Sequence, residues 1–164
     1  MQDTGPVFDT IQSRIKKARR LAIVGIGDEL IPHDRPGMYA ARELEQQQIH
    51  GVKVFFAGTV PESITGPLRR YQPGHVLFLD AADFGARPGT LVVIEPEQVQ
   101  ASLISTHGLP LSVVMDYIEQ EISTGVTLLG IQPDLTGTDN GLSDEDLAYL
   151  DQNLQSLSQI LRDR

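Results

Sequence analysis

Hydrophobic positions along the chain follow two rhythms, and the changes between them outline the elements. Val7, Ile11 and Ile15 recur at helical spacing behind Pro6, a residue suited to a first helical turn, so a helix is predicted over residues 6–18. Residues 21–25, Leu-Ala-Ile-Val-Gly, form a short continuous apolar run typical of a strand buried on both faces. A loop rich in Gly, Pro and Asp follows, then a helical stretch over 36–48. Further apolar runs predict strands at 52–57, 76–79, 90–94 and 126–131. Residues 60–68 read as loop with a short helix, and 96–102 as another short helix. Val114, Ile118 and Ile122 space out a helix over 111–122. Ser143 followed by Asp144, Glu145 and Asp146 reads as an N-cap with an acidic first turn. It opens a last helix to about residue 161, with Leu147, Leu150, Leu154, Leu157 and Leu161 as its apolar stripe.

Strands that alternate with helices give an α/β fold: a three-layer sandwich with a five-stranded, mostly parallel, twisted sheet and helices on both faces. Arg87-Pro88-Gly89 is a turn signal, and the link from the third strand to the fourth is too short for a helical crossover. The fourth strand is therefore expected to run antiparallel to the third. Right-handed crossovers place the first strand between the second and third, provided the chain order reverses there. No repeat or linker interrupts the chain, so a single domain over residues 1–164 is expected.

Composition narrows the functional classes. Hydrophobic residues are 40% and charged residues 21%, ordinary for a globular protein. The net charge of −9, from 13 basic and 22 acidic residues, argues against a general nucleic-acid binder or a polybasic membrane anchor. Arg14, Lys16, Lys17, Arg19 and Arg20 cluster at the predicted end of the first helix and read as a solvated helix terminus. With no cysteine there is no disulfide, thiolate ligand or cysteine nucleophile. No apolar signal region opens the chain and no run is long enough to cross a bilayer, so a cytoplasmic protein without membrane insertion is expected.

Three residues carry candidate metal chemistry. Asp34 lies in the loop after the first strand, Asp80 closes the run 75–79, and His107 stands in Ser105-Thr106-His107-Gly108-Leu109-Pro110 ahead of a helix. In the inferred sheet, ligands bind beyond the strand C-termini at the reversal of strand order, where Asp34 and Asp80 would face one crevice. Two carboxylates and an imidazole suit a borderline divalent metal such as nickel or zinc. Taken singly, each has an ordinary explanation: Asp34 as a cap or turn residue, Asp80 as a loop cap, His107 as a hydrogen-bonded histidine. Gly25-Ile26-Gly27 invokes a dinucleotide fingerprint, but Leu30 stands where a small residue is needed, and Pro32 and Pro36 crowd the helix start. Ser105 and Thr106 beside His107 do not make a nucleophile–base pair, which requires approach in space. Asp83, Glu29 and Glu62 read as surface or supporting groups.

Read further, the loop Gly25-Ile26-Gly27-Asp28-Glu29-Leu30-Ile31-Pro32-His33-Asp34-Arg35-Pro36-Gly37 resembles the opening motif of the nickel–iron hydrogenase maturation proteases: strand, Gly-x-Gly-Asn, a hydrophobic residue, two acidic residues and a glycine. The resemblance continues in order from about residue 21 to 161. Ala57-Gly58-Thr59-Val60-Pro61-Glu62 fits the segment after the second strand, and Leu77-Phe78-Leu79-Asp80-Ala81-Ala82-Asp83-Phe84-Gly85 with Pro88-Gly89 fits the third. Ser105-Thr106-His107 with Leu109-Pro110-Leu111 fits the histidine segment, and Leu129-Gly130-Ile131-Gln132-Pro133 the last strand. The pattern is most similar to the branch serving formate-hydrogenlyase-type, energy-converting hydrogenases. Two positions depart from it: Asp28 replaces the asparagine, and His33 replaces the first acidic residue; against the family's usual start, residues 1–20 are an N-terminal helical extension.

The resemblance implies an aspartate-based endopeptidase that trims the C-terminus of a hydrogenase large-subunit precursor. The family's metal-contacting residues fall on Asp34, Asp80 and His107, where they recognise nickel already carried by the precursor. It implies no organic cofactor, a monomer, and that precursor as partner. Two other readings stay open at this stage. One is a non-cleaving chaperone for the nickel-loaded precursor, in view of Asp28 and His33. The other is a flavodoxin-like nucleotide or flavin module, which 5% aromatic residues and the absence of tryptophan disfavour.

Overall fold

The computed structural model describes residues 5–98, 110–136 and 141–164. Its centre is one five-stranded sheet built from β1 (Leu21–Ile26), β2 (Val52–Gly58), β3 (His75–Ala81), β4 (Leu91–Ile94) and β5 (Gly125–Ile131). The spatial order is β2-β1-β3-β5-β4; β4 is antiparallel to β5 and every other pair is parallel. The expected placement of β1 between β2 and β3 is therefore present. β4 does run opposite to β3, but it does not lie beside it. β5 occupies that place, and the short β3–β4 link carries the chain past it to the sheet edge. Two backbone bonds fasten this passage to the end of β5: Gly89 N–H to Gln132 O at 2.8 Å and Gln132 N–H to Thr90 O at 3.0 Å.

The helices are α1 (Gly5–Ile15), α2 (Pro36–Gln46), α3 (Thr65–Tyr71), α4 (Leu111–Ile122) and α5 (Asp144–Asp163), joined by short 3₁₀ turns at Pro32–Asp34, Pro61–Ile64 and Pro96–Gln98. Alternation along the buried strands separates two cores. Leu21, Ile23, Leu77, Leu79, Leu129 and Ile131 face one layer with α1, α2 and α5. Ala22, Val24, Val76, Phe78 and Leu128 face the other with α3 and α4. β1 and β3 are buried at every position, which is why they read as unbroken apolar runs rather than alternating ones.

Some boundaries move. α1 ends at Ile15, so Lys16, Lys17, Arg19 and Arg20 lie in the turn beyond it. Phe8, Ile11 and Ile15 of α1 are buried in the same core as the sheet, so this helix is part of the layer. α3 runs on to Tyr71, and of the short helix predicted at 96–102 the described part is the 3₁₀ turn Pro96–Gln98. Ser143 caps α5 as expected, accepting from Asp146 N–H at 3.1 Å. Among the described residues no helix is long and apolar enough to cross a membrane.

Candidate active site

The C-terminal ends of β1 and β3 lie side by side, and the order of strands reverses about β1. Asp80 sits on β3, paired with Gly130 of β5, and is 2% exposed. Asp34 ends the 3₁₀ turn that leads from β1 into α2 and is 1% exposed. Two acids at adjacent strand ends are thus buried together at the place where an open α/β sheet binds its ligand. The structure brings Asp34 and Asp80 into one electrostatic neighbourhood; His107, with Ser105 and Thr106, lies outside the described residues.

Local sequence explains the placement of Asp34. The chain turns back at Gly27, whose φ of +131° excludes most L side chains; an added Cβ there would overlap the Asp34 carbonyl oxygen. Asp34 Oδ2 then accepts a hydrogen bond from Asp28 N–H at 2.8 Å. Pro32 and Pro36 hold the 3₁₀ turn and the first position of α2, so the prolines that spoil a dinucleotide loop shape this one. Gly37 lets α2 start directly on the strand ends: a Cβ there would overlap the carbonyls of Ile26 and Leu79 and stand 3.0 Å from Asp80 Cα. The N-terminus of an eleven-residue helix, with its partial positive charge, therefore opens beside both acids.

Asp80 Oδ1 accepts from Ala81 N–H at 2.8 Å. Burial and, second to it, the neighbouring Asp34 charge push its pKa up to about 8, while that backbone bond opposes the rise. A proton or a metal cation relieves the same strain. Carboxylate oxygens so arranged fit a hard or borderline divalent ion, with an imidazole as the softer third donor. Among the described residues no group of three His, Cys, Asp or Glu gathers to hold a metal; the third donor expected from sequence is His107.

Other residues take definite positions. His33 is exposed, and the Asp28 carboxylate caps Leu30 N–H at 2.9 Å. Glu29 is exposed and paired with Arg42, Nε to Oε1 at 2.7 Å and Nη2 to Oε2 at 3.0 Å; that bond to Arg42 holds its carboxyl below the usual range. Glu62 is exposed, and Asp83 Oδ1 accepts from Gly85 N–H. Sequence reasoning gave no separate role to Gln132. Its Oε1 accepts from Phe84 N–H at 2.8 Å and Ala86 N–H at 3.3 Å, and its Nε2 donates to Asp83 Oδ1 and Pro133 O at 3.2 Å. One buried side chain at the end of β5 thereby pins the loop that follows Asp80. The available signal was a lone amide directly after a continuous apolar strand, where a polar group needs partners.

Comparison with known proteins bears on this arrangement. A family model described as HycI, hydrogenase maturation protease, matches residues 38–158. The MJ0631 protein of Methanocaldococcus jannaschii, named among the hydrogenase maturation proteases, is 32% identical over 133 residues, covering 76% of this chain and 79% of its own. The hydrogenase 3 maturation protease of Escherichia coli K12 is 29% identical over 113 residues, 68% of this chain and 72% of its own. The crystal structure of the nickel–iron hydrogenase maturation protease HycI from Thermococcus kodakarensis superimposes with a TM-score of 0.79 at 28% identity, over 93% of this chain and 99% of that one. The expected family is thereby established and the flavodoxin-like module set aside: the chain belongs to the hydrogenase maturation proteases, a family of peptidases.

Proposed function

We propose that this peptidase removes the C-terminal extension of a hydrogenase large-subunit precursor, and that nickel already bound in the precursor is what it recognises. The observation that carries this reading is the buried pair Asp34 and Asp80 at the adjoining ends of β1 and β3. Two buried acids beside a helix N-terminus leave one of them protonated or call for a cation, and a precursor carrying nickel supplies one. Asp34, Asp80 and His107 are the proposed contacts, with His107 as the imidazole donor three residues before Pro110.

On this reading the precursor's metal serves as a docking point that sets the scissile bond in register. Productive geometry then depends on the cofactor having been installed. Asp80 must give up its proton to hold the cation, while Asp28 N–H holds Asp34 through Oδ2. Hydrolysis needs a polarised carbonyl and an activated water. The carboxylates supply a base for the water, and the cation supplies the polarisation. A metal that arrives with the substrate also fits a site built on two acids and one histidine, without a dense set of imidazoles.

The test is direct. Mixing the protein with nickel-loaded precursor and weighing the large subunit by mass spectrometry should show loss of a C-terminal fragment, and nickel-free precursor should remain intact. Binding without any loss of mass would support the non-cleaving chaperone instead.

A further inference from the structure

Exposed apolar side chains are unevenly distributed over this molecule. Among the described residues six large apolar side chains are exposed: Val113 at 48% and Tyr117 at 41% on α4, and, away from that helix, Leu30 at 86%, Ile31 at 39%, Val60 at 46% and Leu135 at 47%. The latter four lie on loops that leave the C-terminal ends of parallel strands, the end that holds Asp34 and Asp80. The opposite end carries cations: Lys16, Lys17, Arg19, Arg162 and Arg164 line a cleft there of about 570 Å³. Single exposed apolar residues are ordinary, whereas apolar residues grouped on one face mark an interaction site.

The backbone that carries Leu30 is braced. Its own N–H is tied to Asp28 Oδ1 at 2.9 Å, and Ile31 N–H to Asp28 O at 3.1 Å. Glu29, one residue before it, is clamped twice: the carboxylate by Arg42, and the carbonyl by Arg35 Nε. The turn is braced on both sides and presents leucine at its tip. The same Asp28 whose carboxylate and carbonyl brace that tip donates its N–H to Asp34 Oδ2. Neighbouring loops join the rim. Gly27 N–H bonds Gly58 O at 2.8 Å, two residues before Val60, and Pro32 lies against Gly141, just ahead of α5.

We infer that Leu30, with Ile31 beside it, is the apolar anchor on which the folded precursor docks next to the segment to be cut, and that it determines which precursor is accepted. The inference rests on the function proposed above. The occupant is an apolar patch on the substrate protein, because the rim is continuous with the carboxylate crevice through Asp28. An apolar side chain carried on a braced turn loses little backbone freedom on docking, which favours it as an anchor.

The experiment compares wild type, Leu30→Ser and Leu30→Met on nickel-loaded large-subunit precursor, with steady-state cleavage kinetics and the dissociation constant from biolayer interferometry. Leu30→Ser should raise KM and the dissociation constant at least tenfold, with kcat within twofold and an unchanged melting temperature. Leu30→Met should stay within threefold of wild type. A Leu30→Ser variant that binds within twofold of wild type overturns the anchor, as does one whose kcat falls while KM holds. A wild-type protein that dimerises through this rim, with Leu30→Ser monomeric and equally tight on precursor, also overturns it. Wild type that binds precursor without cutting it fails the proposed function, and the dissociation constants still decide the anchor.

Discussion

Gly37 lies so close to Asp80 that no side chain fits between helix α2 and strand β3: a Cβ on Gly37 would stand 3.0 Å from Asp80 Cα and would overlap the Leu79 carbonyl. The helix that follows Asp34 is thereby seated on the strand end that carries Asp80. Gly37→Ala must push them apart, so it should lower stability by about 1–3 kcal/mol, the usual range for overpacking. It should also slow precursor cleavage by more than the lost stability explains, because the two acids separate. Urea unfolding followed by circular dichroism, beside a cleavage assay, checks this; an unchanged midpoint would contradict the seating.

Asp80 gives a pH signature in the protein alone. Its pKa of about 8 in the folded chain lies above the ordinary 3.8, through burial first and Asp34 second. Between those values the unfolded chain has lost a proton that the folded chain keeps, so stability falls as pH rises from about 4 and levels off above 8. Asp80→Asn should remove this loss. The variant should be more stable than wild type at pH 8, by roughly 2–4 kcal/mol, and close to it at pH 4. Parallel unfolding profiles across that range would mean that Asp80 is not held as described.

His75 works in the opposite direction at the other end of the same strand. It is 6% exposed, with Nε2 hydrogen-bonded to Thr127 Oγ1 at 2.8 Å. Burial, aided by Arg14, lowers its pKa to about 4 from 6.5. As pH falls below 6.5 the unfolded chain takes up a proton that the folded chain refuses, so stability is complete above that value and drains away toward pH 4. His75→Gln should make the decline between pH 6.5 and 4 shallower by about 2–3 kcal/mol. Denaturation midpoints at pH 7, 5.5 and 4.5 measure it, and an identical slope in the variant would refute it.

Gln132→Ala strips the Phe84 and Ala86 N–H groups of their acceptor. Losing two hydrogen bonds to half-buried donors costs about 1–2 kcal/mol. Faster amide exchange should be confined to the loop after β3, with cleavage impaired while the sheet stays protected. Uniform loss of protection across β1 and β3 would instead mark Gln132 as a general core residue.

Much of this architecture was legible in the chain because burial leaves a plain trace. The unbroken apolar runs of β1 and β3 announced strands covered on both faces, and chain order placed their ends together, which set Asp34 beside Asp80. The edge position of β4 was not legible. A short connection reveals that a strand turns back, but not that another strand will later occupy the gap. Spacing likewise could not separate the end of α1 from the cations that follow it, since Arg14 and Lys16 differ only in which side of Ile15 they fall. Gln132 and Gly37 were quoted within motifs, yet their work depends on backbone groups distant in sequence. The position of His107 rests on resemblance and on residue type.

The most direct test of the central claim is mass spectrometry of nickel-loaded large-subunit precursor incubated with wild type, Asp34→Asn, Asp80→Asn and His107→Ala, each first shown to be folded. Wild type should remove the C-terminal extension, and each variant should lower the rate at least a hundredfold. Normal trimming by a folded Asp80→Asn variant would contradict the account at its base.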